Sequence, residues 1–151
     1  MIRVKGTDED GDGVDDLAVT NSIVEHSDGS RTESTVARNS DASLRSSETV
    51  VVGPNGQSKV ISRDLDGDGT AETVEDLTIT LGVDNESTSV LEVQNGDGSL
   101  RSRVVQAQSS DTLTKTIASD VDGDGDIDVT TVDATVICLT SAPMGPNRVI
   151  C

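Results

Sequence analysis

Three acidic stretches recur along the chain at one fixed interval: Asp8-Glu-Asp-Gly-Asp-Gly-Val-Asp-Asp16, Asp64-Leu-Asp-Gly-Asp-Gly-Thr-Ala-Glu72 and Asp120-Val-Asp-Gly-Asp-Gly-Asp-Ile-Asp128, each beginning 56 residues after the last. Glycine at the sixth place, Gly69 in the central copy, lets the backbone turn sharply. A flexible, solvated Asp-Gly turn explains one such stretch. It does not explain three in register, each closing on an acid at its ninth place.

The interval organises the whole sequence. Residues 8–63 and 64–119 share 16 identities in 56 positions, concentrated at turns, as expected when each repeat is one supersecondary unit defined by its corners. The clearest block is Asn39-Ser-Asp-Ala-Ser-Leu-Arg-Ser46 against Asn95-Gly-Asp-Gly-Ser-Leu-Arg-Ser102. Further corners fall at Asp28-Gly29, Asp41-Ala42, Asn55-Gly56, Asp84-Asn85, Asp97-Gly98 and Asp111. Asn-Gly and Asp-Gly supply the positive φ that tight hairpin turns demand. Between the corners lie segments rich in Thr, Val, Ser and Ile, and Leu77-Thr-Ile-Thr-Leu81 alternates aliphatic with polar residues. These are strands, and helical spacing is hard to find. The pattern predicts an all-β fold, with tandem antiparallel β-hairpin repeats stacked in an elongated array. Four strands make one unit, and an acidic loop occupies every fourth turn. The units are 1–56, 57–112 and a partial 113–137, followed by a terminal loop at 138–151 closed by Cys138 and Cys151.

Composition assigns the acidic loops a task. The chain has no Phe, Tyr or Trp, only 32% hydrophobic residues and a formal net charge of -17. Aromatic side chains supply the largest burial per residue in an ordinary interior, so any core here must be thin and built from Val, Ile and Leu. Low hydrophobicity with high net charge describes a disordered chain, unless cations neutralise the clustered aspartates and folding is linked to metal binding. Carboxylates at the first, third, fifth and ninth places, with a main-chain carbonyl from the seventh, provide the oxygen donors that Ca2+ collects. The candidate ligands are Asp8, Asp10, Asp12, Val14 and Asp16; Asp64, Asp66, Asp68, Thr70 and Glu72; and Asp120, Asp122, Asp124, Asp126 and Asp128. About three calcium ions are expected. An EF-hand acid at the twelfth place is matched only by Glu75, so no flanking helices are implied.

So acidic a surface excludes nucleic acid as a partner, and no run of residues is long enough to span a bilayer. Cys138 and Cys151 bracket a short segment whose closure by a disulfide is worth on the order of 3 kcal/mol. Two free thiols are the other reading. Free calcium at millimolar level and an oxidising compartment coincide outside the cytoplasm, so an extracellular or cell-surface location is expected.

Catalysis finds no support. A glycosidase needs two carboxylates flanking a bond, but every acidic cluster here recurs with loop spacing and no aromatic platform exists to hold a sugar. His26, the only histidine, stands beside the Ser27-Asp28-Gly29 corner as a turn residue. Arg45 and Arg101 recur in the Ser-Leu-Arg-Ser block, where pairing to neighbouring carboxylates is expected.

The combination of Asp64-Leu-Asp-Gly-Asp-Gly-Thr-Ala-Glu72 with Asn95-Gly-Asp-Gly-Ser-Leu-Arg-Ser-Arg103 resembles the tandem repeats of very long secreted calcium-binding proteins of proteobacteria, of the hemolysin-type or RTX-like adhesin kind. The likeness extends to about Ile137, although the Gly-Gly-x-Gly-x-Asp nonapeptide of parallel β-rolls is absent. Residues 8–19 also resemble the calcium hairpin of FG-GAP blades in integrin-type propellers. The first likeness implies a non-enzymatic, calcium-binding structural segment of a bacterial surface or matrix protein. Its expected partners are further copies of itself or other matrix components, with a ligand-binding adhesin or propeller-like module as the alternative.

Overall fold

β-Branched side chains suit a pleated, half-covered surface, and the segments rich in them all become strands. The computed structural model describes residues 1–137 and the backbone of 139–140 and 149–150. Ten strands follow in order: β1 (Ile2–Thr7), β2 (Leu17–Glu25), β3 (Arg31–Asn39), β4 (Leu44–Val52), β5 (Ser58–Asp64), β6 (Thr73–Leu81), β7 (Ser87–Asn95), β8 (Leu100–Gln108), β9 (Thr114–Asp120) and β10 (Val129–Ala134). Each pairs antiparallel with the next, giving one open sheet in sequence order. Strands β6 to β9 reproduce β2 to β5 one period later. A short separate pair, β11 (Leu139–Thr140) and β12 (Val149–Ile150), follows. The expected loop closed by Cys138 and Cys151 lies outside the described residues.

The corners form where Asp and Asn stand. Asp28, Asp41, Asp97 and Asp111 each accept, through Oδ1, the amide of the residue two places on: Ser30 at 2.9 Å, Ser43 at 2.9 Å, Ser99 at 2.9 Å and Leu113 at 3.0 Å. Positive φ follows at Gly29 (86°), Ala42 (68°), Gly98 (82°) and Thr112 (60°). The Leu-Arg-Ser block has a different task. Pairing of β3 with β4 jumps from Ala37↔Ser46 to Arg38↔Leu44, and that of β7 with β8 from Val93↔Ser102 to Gln94↔Leu100. Arg45 and Arg101 are thus the extra residues of two equivalent β-bulges.

The thin interior expected from composition is absent among the described residues. Among the described residues no hydrophobic side chain is buried, and the buried residues are Asp64 at 4% exposure and Asp120 at 1%. A single layer leaves each face of the sheet covered only by the side chains beside it. Cross-strand pairs therefore carry the face contacts. One is ionic: Arg63 donates to Glu48 at 2.8 Å from the strand on one side and to Glu75 from the strand on the other. These two carboxylates raise the arginine's pKa. Arg103 lies 3.3 Å from Glu92.

Hydrogen bonds from Ser30, Ser43, Ser99 and Ser109 hydroxyls, joined by the local amides, hold the carboxyls of Asp28, Asp41, Asp97 and Asp111 below their ordinary value. A group depressed in the folded state stabilises the fold above its unfolded pKa of about 4, and that contribution is lost as pH falls through the lower folded value. The melting temperature is therefore expected to be insensitive to these corners from pH 7 to 5 and to fall as the pH drops below about 4. A pH series of thermal melts followed by circular dichroism measures this.

Candidate metal centre

The three Asp-x-Asp-Gly-Asp-Gly loops join β1 to β2, β5 to β6 and β9 to β10. Strand direction alternates, so all three lie along the same end of the sheet. The Asn39–Ser43 and Asn95–Ser99 turns lie between them.

Each loop winds around its first aspartate. Asp64 accepts the amide of Gly67 through Oδ1 at 2.6 Å and that of Gly69 through Oδ2 at 2.9 Å. Asp8 does the same with Gly11 (2.6 Å) and Gly13 (2.9 Å), and Asp120 with Gly123 (2.6 Å) and Gly125 (3.0 Å). All six glycines hold positive φ, from 78° to 97°. The amides of Gly13 and Gly11 lower the pKa of Asp8. The third-place aspartates Asp10, Asp66 and Asp122 accept the amide two residues on, at 3.1, 3.1 and 3.2 Å. The closing acids bend back across the loop: the amides of Glu9, Leu65 and Val121 donate to Asp16 (2.9 Å), Glu72 (2.5 Å) and Asp128 (2.7 Å).

Carboxylate oxygens therefore converge. One oxygen each from Asp64, Asp66, Asp68 and Glu72 lies within 4.8 Å of the others, and the same holds for Asp8, Asp10 and Asp16 and for Asp120, Asp122 and Asp128. Three acidic groups are thus able to hold a metal ion. The fifth place joins the group only in the central loop. Asp12 and Asp124 stand outside their groups; their Oδ1 atoms accept the amides of Val14 and Asp126 at 2.8 Å. Thr70, Val14's counterpart, likewise donates its amide to Asp68 at 2.7 Å. Glu75 belongs to the ion pair with Arg63 rather than to the loop.

The loops are not equally enclosed. A Cβ on Gly67 would fall 2.3 Å from the carbonyl oxygen of Leu44, and one on Gly123 would fall 2.3 Å from that of Leu100. Both carbonyls sit at the bulges of the preceding hairpin, so the central and last loops are wedged beneath a Leu-Arg-Ser block. A Cβ on Gly11 would meet nothing within 4 Å. The burial of Asp64 and Asp120 and the exposure of Asp8 follow from this difference. Arg45 reaches from its bulge to Glu9 of the first loop, 3.5 Å away, while Gly96 packs against the carbonyl of Ala71. Sequence reasoning missed this interlocking; the identity of Ser43–Ser46 with Ser99–Ser102 was its only signal. His26 is a corner residue, its Nε2 2.9 Å from the Thr32 hydroxyl.

Compared with protein-family models, with curated proteins and with solved structures, the chain matches none.

A left-handed φ alone costs an alanine about 1–2 kcal/mol, and that cost is common to all three loops. Gly67→Ala and Gly123→Ala add a collision with a backbone carbonyl, whereas Gly11→Ala does not. Thermal melts are expected to show clearly larger losses for the first two, and equal losses in all three contradict the wedged geometry.

Proposed function

We propose that this chain is a calcium-stabilised structural repeat segment, without catalytic activity, of an extracellular bacterial surface or matrix protein. The observation that carries the reading is the pairing of convergent carboxylates at every fourth corner with a sheet whose described residues bury no hydrophobic side chain.

The donor set favours calcium. Ca2+ collects six to eight oxygens at about 2.3–2.6 Å, and carboxylate oxygens within 4.8 Å of one another are near enough to share one such ion. Mg2+ demands a tighter octahedron and keeps several waters, which suits a crowd of carboxylates less well. An ion at each corner also removes the mutual repulsion of carboxylates held close together. The seventh-place carbonyls of Val14, Thr70 and Asp126, and the outlying Asp12 and Asp124, complete the shell in this reading. Calcium at 100 times its dissociation constant adds about 2.7 kcal/mol per independent site, a large share of an ordinary domain's margin. Millimolar calcium outside the cell keeps such sites filled, and the role is mechanical: spacing or stiffening, as in the secreted repeat proteins that the loops resemble.

Titration calorimetry with calcium tests this. We expect two tighter sites, at the wedged loops 64–72 and 120–128, and one weaker site at 8–16 that Asp8→Asn abolishes. Chelation is expected to abolish the β signal in circular dichroism. A β signal and melting temperature indifferent to calcium refute the reading.

A further inference from the structure

The two repeats share a backbone but not a surface. Register places Asn21, Thr35, Glu48 and Arg63 side by side in one cross-strand row of the first unit. The equivalent row of the second unit, on the same face of the sheet, is Leu77, Leu91, Val104 and Ser119. Ile79, Val93 and Ile117 flank it. The charges have moved to the opposite face, where Asp76, Glu92, Arg103 and Asp120 form a row in place of Thr20, Val36, Ser47 and Asp64. The result is a half-buried aliphatic patch on β6 to β9 with no charge inside it. Glu75, Lys115, Asp133 and Lys59, which β5 places opposite Leu77, mark its rim, and Glu75 is already engaged by Arg63.

We propose that this face of β6–β10 packs against the same face of a second copy, forming a two-fold, sheet-on-sheet dimer. Charge selects the partner. In a chain of net charge -17, two copies meet with least like-charge repulsion where carboxylates are confined to the rim, as Glu75 and Asp133 are here, and the acidic loops lie along one end of the sheet, away from this face. Size agrees as well. Five strands about 4.8 Å apart and up to nine residues long cover roughly 600–700 Å2, near the ~800 Å2 per partner of a stable interface. Ser87, Ser89, Gln106 and Gln108 on the same face supply neutral hydrogen-bonding groups around the aliphatic row. Stacked sheets are also the ordinary means by which a layer with one apolar face acquires an interior. A two-fold contact uses up the patch, so association stops at two.

Sedimentation equilibrium of the full chain between about 1 and 200 µM, in excess calcium, tests the proposal. The expected result is a doubling of mass with concentration. Leu91→Glu and, as a milder change at an already polar position, Gln106→Glu are expected to weaken association at least tenfold with the far-UV signal unchanged. Thr35→Glu, at the equivalent place in the first unit, is expected to associate like the parent chain. A folded chain that stays monomeric overturns the interface and leaves the calcium reading standing. Association that survives Gln106→Glu, that Thr35→Glu weakens equally, or that continues beyond two overturns it as well.

Discussion

A carboxylate accepting two glycine amides is the contact around which this molecule is arranged. Asp8, Asp64 and Asp120 each gather the amides of the fourth and sixth residues of their loops, and two of the three are the buried side chains of the described chain. Ordinary domains bury aliphatic and aromatic groups and leave aspartate in water. Here the order is reversed, because no aromatic residue exists and one layer of sheet offers no interior. Negative charge so concentrated opposes the folded arrangement, and the converging carboxylates are able to hold a metal ion.

From that contact the rest of the architecture follows stepwise. The wound loop joins neighbouring strands, and in the central and last loops the glycine at the fourth place lets the bulge carbonyl of the preceding hairpin close over it. The bulge in turn owes its place to the repeated Leu-Arg-Ser block. Loops and turns along one end of the sheet thus interlock as a row, while the strands between them are held by ladder hydrogen bonds and by modest cross-strand pairs such as Glu48–Arg63–Glu75. Exposed ion pairs of this kind contribute about 0–1 kcal/mol each. In the proposed reading bound calcium concentrates stability at the corners, and the neutral aliphatic patch of the second repeat is where the sheet still has surface to bury.

Much of this was legible in the residues themselves. Asp-Gly and Asn-Gly corners, the 56-residue period and the Thr- and Val-rich segments between corners pointed to four short antiparallel strands per unit, since turn chemistry and β-propensity are local. What depends on partners distant in sequence was not legible. Gly67 reads as a turn glycine, and only the fold brings Leu44 above it. Asp12, Asp68 and Asp124 occupy one place in the motif, yet only Asp68 joins its group. The side of the sheet that each residue faces was hidden for a sharper reason. A one-residue bulge at Arg45 and at Arg101 reverses the alternation in mid-hairpin, so the shift of charge from one face to the other emerges only once the register is known.

The central claim is that the carboxylate corners, filled by calcium, hold this sheet together in place of a hydrophobic interior. Residue-resolved amide hydrogen exchange tests it most directly. With calcium present, the slowest-exchanging amides should be those of Gly67, Gly69, Gly123 and Gly125, and their protection should collapse on chelation ahead of the strand centres. Greatest protection at mid-strand residues such as Leu91 and Val104, unchanged when calcium is removed, would contradict the account.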